Sequence, residues 1–103
     1  MAEFLLRGQA PPSAIVCASD LLALGALTAA RELGVPVPGG VAICGFDDFE
    51  FAKHTVPALT TVQVPAYRMG QIAAQMLVDS LAGKAVEPRQ VVLPSKVLRR
   101  QSA

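Results

Sequence analysis

The stretch Val41-Ala-Ile-Cys-Gly-Phe-Asp-Asp48 decides the fold. Its β-forming residues run into a glycine and an aromatic, then stop at two adjacent carboxylates. An apolar run bounded by turn signals predicts a strand buried on both faces, the usual state of parallel-sheet strands. Ligands of open parallel sheets bind beyond the carboxyl ends of the strands. Asp47 and Asp48 therefore mark the first place to look for function.

Working outward, Ala14-Ile-Val-Cys-Ala18 is a second short apolar run, entered through the breaker Pro11-Pro12-Ser13. Between the two runs lies a predicted helix, Leu21–Leu33, which either Ser19 or Asp20 can N-cap. Gly34 stands where a helix end favours positive φ, and Pro36 and Pro38 block continuation. The unit is β-α-β, and its connection should be right-handed. The expected class is α/β, a parallel sheet flanked by helices. Upstream, residues 2–7 predict the last turns of an amphipathic helix, with Gly8 suited to the position past its end.

Downstream, Phe49–His54 predicts a short helix N-capped by Asp48, and Leu59–Val64 a brief strand closed by Pro65. Tyr67–Ala82 is a clear amphipathic helix: Met69, Ile72, Ala73, Met76, Leu77 and Leu81 fall on one side. Gly83 ends it. Val91–Pro94 and Lys96–Leu98 predict one or two β-like pieces broken at Pro94.

The helix over 21–33 is apolar nearly all round, so it must be covered nearly all round. Leu22, Ala26, Ala29, Ala30 and Leu33 share one face, which suits the sheet. Leu24, Leu27, Thr28 and Arg31 lie opposite, with Leu21 between. A subunit interface is the preferred cover for that second face, ahead of another layer of the same chain.

Composition agrees with a packed domain that hides surface against a partner. Of 103 residues, 52% are hydrophobic and only 17% charged, a surplus that argues against disorder. A net charge of +1 leaves little for nucleic acid, and Arg99-Arg100 is the only basic pair, expected to be solvated. Cys17 and Cys44 sit inside apolar runs without Cys-x-x-Cys spacing, which reads as two reduced, buried thiols rather than a metal or redox site. No run is long enough to span a membrane and no signal peptide stands out, so the expected setting is cytoplasmic.

Catalysis finds little support. His54 is the single histidine and lies outside any nucleophile motif. Asp47 and Asp48 are adjacent, so extended chain would send their side chains to opposite faces. No residue spacing suggests a metal or a cofactor. Binding fits better: a carboxylate at a strand end can accept hydrogen bonds from the hydroxyls of a neutral polyol. Asp47 is the expected ligand contact. Parallel pairing can bring the Ser19 hydroxyl to the same rim, while Asp20 and Asp48 are read as helix caps.

Ala18-Ser-Asp-Leu-Leu-Ala-Leu-Gly25, Gly34-Val-Pro-Val-Pro38, Val41–Asp48, Pro57-Ala-Leu-Thr-Thr-Val62 and Val97-Leu-Arg-Arg100 occur in order at telling separations. On these motifs the chain resembles the C-terminal part of the effector-binding domain of LacI/GalR-type transcriptional regulators, a domain similar to type I periplasmic sugar-binding proteins. The resemblance covers essentially the whole chain. It implies two α/β lobes clamping a sugar or other small molecule, with the residues matching Asp47 and Ser19 at the ligand. It also implies a homodimer through the helix carrying Leu21, Leu24, Leu27, Thr28 and Arg31. By this likeness, residues 1–64 belong to the C-terminal lobe, 65–88 hold a crossover helix of the N-terminal lobe, and 89–103 return.

Two positions depart from the family pattern: Ser19 stands for the usual Asn, and Gln63 lies one residue before the place where the family often has Gln. The resemblance further implies that the DNA-reading helix-turn-helix and most of the N-terminal lobe precede Met1. The Tyr67–Ala82 helix is then expected to pack on a partner chain or fold back over the exposed sheet. The expected function is effector sensing and dimerisation within a transcriptional regulator, without enzymatic activity. The alternatives are part of a secreted sugar-binding protein of the same fold, or a stand-alone oligomerisation module.

Overall fold

A computed structural model describes residues 1–103. The chain falls into two compact units, one of residues 1–63 with 96–103 and the other of residues 64–95. In the first unit, helix α1 spans Ala2–Leu6, strand β1 Ala14–Val16, helix α2 Asp20–Glu32 and strand β2 Ala42–Cys44. A 3-10 turn over Glu50–Lys53 follows, and then strand β3 spans Thr61–Gln63. β1 and β2 pair in parallel, Ala14 opposite Ala42 and Val16 opposite Cys44. A single parallel bridge joins Cys44 to Thr60. Beyond it, β3 pairs antiparallel with β4, Lys96–Leu98.

The last residues lock this arrangement. Ser102 is fully buried; its carbonyl accepts from Ile43 N at 2.8 Å and its hydroxyl donates to Ile43 O at 2.6 Å. The same hydroxyl accepts from Thr60 N at 2.8 Å. Backbone groups of a strand need partners when buried, and here a tail serine supplies them where a regular neighbouring strand would.

The core is small: Leu6, Ala23, Ala26, Leu27, Ala30, Val41, Ile43, Ala52 and Leu59. Ile43 and Leu59 are fully covered, each worth about 1.5–3 kcal/mol of burial. α2 meets this core through Asp20, Ala23, Ala26, Leu27 and Ala30. That stripe differs from the expected sheet face. Leu22, expected on it, is 60% exposed. The side that approaches the sheet is built from alanines, which admit a close approach, and its first position is taken by the buried Asp20. Leu27, expected on the uncovered face, is only 7% exposed and belongs to the core.

Ends and turns hold further differences. Gly34 takes the left-handed conformation, φ 68°, and Gly83 does likewise at 71°. Gly8 does not: α1 closes on Arg7 in helical conformation, its N–H bonded to Glu3 O. The Val91–Pro94 segment forms no strand, and Cys17 and Cys44 are free thiols at half-buried positions.

The second unit contains helix α3, Ala66–Leu81, followed by irregular chain. None of the residues of α3 is buried, and Met69, Leu77 and Leu81 are more than half exposed. A helix with so pronounced an apolar side has a preference for cover that this unit does not meet.

Candidate ligand-binding rim

The carboxyl ends of β1 and β2 build one rim. Ser19 follows β1 in extended conformation, φ −154° and ψ 161°, and N-caps α2: its hydroxyl accepts from Leu22 N at 3.3 Å. A hydroxyl that accepts in this way keeps its own O–H to donate. The next residue ties the two strand ends together, since Asp20 N donates to Phe46 O at 2.8 Å.

Asp20 was expected to cap its own helix. Instead its side chain is fully buried and turned away from the helix end, toward the loop after β2. Oδ1 accepts from the Thr61 hydroxyl at 2.5 Å and Oδ2 accepts from Phe49 N at 2.8 Å. Ser19 fills the cap position, which leaves Asp20 free for this second task. Gly45 makes room for it. A Cβ there would run into the Asp20 carboxylate and lie 3.1 Å from Leu59 Cδ2.

Asp48 was also expected as a cap, and it is not one. The 3-10 turn has no side-chain cap; Phe49 occupies that position, and its N–H goes to Asp20. Asp48 Oδ1 pairs with Arg100 Nη2 at 2.7 Å, and Oδ2 accepts from Gln63 Nε2 at 2.8 Å. Arg100, expected to be solvated, is 19% exposed along its side chain and also donates through Nη1 to Leu59 O at 2.9 Å. The two partners lie 52 residues apart in sequence, so no local pattern announces them.

Asp47 is the exception among these carboxylates. It is half-buried, and no group of the chain engages its side chain, whereas its backbone is held: Asp47 N donates to Val62 O at 2.9 Å. Asp47 and Asp48 both have positive φ, 103° and 55°. Aspartate tolerates the left-handed region better than most residues, but 103° lies beyond that basin. Such conformations cost about 1–3 kcal/mol each and persist where the surroundings over-determine them, often at functional sites. The turn also removes the alternation expected of extended chain. These two residues are not extended, and it is their environments that separate their roles.

A second feature lies on the other side of α2. A groove of about 380 Å³ runs between α2 and the 3-10 turn, lined in part by Leu24, Leu27, Thr28, Arg31 and Phe51. Leu21 is 65% exposed and Leu24 36%, while Leu27 forms part of the floor. No group of three or more His, Cys, Asp or Glu side chains comes together as a metal site, and no helix is long and apolar enough to cross a membrane.

Comparison with known proteins shows the family of the chain. Residues 2–103 match the family model described as a periplasmic binding protein-like domain. The HTH-type transcriptional repressor PurR of Proteus mirabilis is 37% identical over 98 residues, 95% of this chain and 29% of that protein. Among solved structures, the transcription regulator CcpA of Lactococcus lactis superposes with a TM-score of 0.87 at 33% identity, over 98% of this chain and 36% of that one. The CelR transcriptional regulator, solved as a cellobiose complex, gives 0.82 at 40% identity, over 88% and 28% respectively. The chain thus spans less than a third of the length of the PurR relative. It belongs to the periplasmic binding protein-like domain family, where it corresponds to part of the effector-binding domain of LacI-type transcriptional regulators.

Proposed function

We propose that this chain supplies one wall of an effector site and a self-association face of a LacI-type transcriptional regulator, and that the effector is a sugar or similar polyol. The observation that carries this reading is the Asp47 carboxylate, set on a fully braced backbone at the strand ends yet engaged by nothing in the chain. An ionised carboxylate in that state accepts hydrogen bonds from paired hydroxyls, which are the stronger, charge-assisted kind. Ser19 offers a hydroxyl donor on the same rim. The cellobiose in the CelR complex supports the choice of chemical class.

In this reading the protein is a cytoplasmic homodimer and not an enzyme. The second copy covers the α2 face through Leu21, Leu24, Thr28 and Arg31, with Leu27 beneath them. DNA is read by a helix-turn-helix of the kind named in the PurR relative, not by these residues, whose net charge of +1 provides no electrostatic footprint. A thermal-shift screen with mono- and disaccharides, cellobiose among them, tests the effector class. A ligand at a hundred times its Kd adds about 2.7 kcal/mol of stability, a rise of roughly 10–20 °C in Tm for a domain of this size. A flat response across the panel with the opposite wall of the cleft supplied contradicts the reading.

A further inference from the structure

We infer that Asp20 is a positioning residue for the ligand rim: its buried carboxylate holds the left-handed pair Asp47–Asp48, and so sets the direction of the Asp47 side chain. The inference rests on the reading of Asp47 as the ligand contact. It starts from the backbone, where two successive non-glycine residues have positive φ and something must hold them there.

Asp20 grips the turn on both flanks. Ahead of the pair, its N–H binds Phe46 O at 2.8 Å; behind it, Oδ2 binds Phe49 N at 2.8 Å. Inside the pair it acts through Thr61, whose hydroxyl donates to Oδ1 and accepts from Asp48 N at 3.3 Å. Two further backbone donors of the segment go to the chain alongside: Gly45 N to Thr60 O and Asp47 N to Val62 O, both at 2.9 Å. The grip is also deep. Asp20 and Thr61 are fully buried, and the carboxylate occupies the space that a Cβ at Gly45 would need. A charged group fully removed from water is expensive unless its lone pairs are used. Here they are used on the turn and on the threonine that serves it, rather than on the helix Asp20 begins.

The test needs no ligand, so its failure is distinct from failure of the effector assignment. Amide hydrogen exchange is measured by NMR on the wild type, Asp20→Ala and Asp20→Asn. Asparagine can keep its carbonyl on Phe49 N–H and turn its amide to the Thr61 hydroxyl, which can accept; alanine can do neither. In Asp20→Ala, the Phe49 and Asp47 amides are expected to exchange about tenfold faster or more than the change seen at Ile43, and Asp20→Asn is expected to restore most of that protection. The Asp47 amide is the decisive probe, because it is bonded to Val62 and not to Asp20. Exchange at Asp47 that is unchanged, or that merely tracks Ile43, overturns the inference. Should Asp20→Ala fail to fold, Asp20→Ser, too short to reach Phe49, reads the same amides.

Discussion

At Asp48, one carboxylate oxygen meets Arg100 and the other meets Gln63, with both charged side chains under a fifth exposed. Removing one partner of a fully buried pair costs roughly 3–5 kcal/mol because the other charge is left uncompensated. Partial wetting lowers that here, and Arg100→Ala is expected to cost about 2 kcal/mol, read as a lower urea midpoint at unchanged slope. The cysteines behave in the opposite sense to reactive thiols. Burial raises the pKa of both, assisted at Cys17 by the neighbouring Cys44 and at Cys44 by Asp20. A raised pKa leaves less thiolate at neutral pH, so alkylation by iodoacetamide should run slower than for free cysteine at neutral pH and still be climbing above about pH 9. The place of Asp47 was readable in the sequence, as a carboxylate just past a buried strand and one residue too early to cap the next helix; facing a ligand is the role proposed for it. Asp20, Thr61 and Arg100 were not readable as a network, since their partners lie 29 to 52 residues away.

Among the elements, α2 carries the sharpest consequences. Its length and the left-handed Gly34 beyond it follow from local pattern, and the structure has both, while the cap falls to Ser19 rather than to Asp20. The rotation of the helix on the sheet does not follow, because a surface rich in both leucine and alanine offers two inner faces. Close packing chose the alanines. Leu27→Ala therefore removes a core side chain, and a loss of about 2–5 kcal/mol is expected in chemical denaturation. Leu24→Arg, on the half-exposed side, should leave stability within about 0.5 kcal/mol while shifting sedimentation from dimer to monomer. An unchanged dimer removes the α2 face from the proposed interface.

For the molecule as a whole, the β-α-β order, the parallel pairing and the position of the rim were legible from the alternation of apolar runs, breakers and caps. The contribution of the last residues was not: Ser102 ties Ile43 of β2 to Thr60 through three hydrogen bonds, and no periodicity encodes one buried serine there. What the fold builds around the rim is a braced turn carrying one unengaged carboxylate. Titration calorimetry comparing the wild type with Asp47→Ala, using the saccharide that raises Tm most, tests that claim directly. Two lost charge-assisted hydrogen bonds at about 1.5 kcal/mol each predict affinity weaker by about 100-fold in the variant. Equal affinity of wild type and Asp47→Ala for that saccharide contradicts the assignment of Asp47 to the ligand.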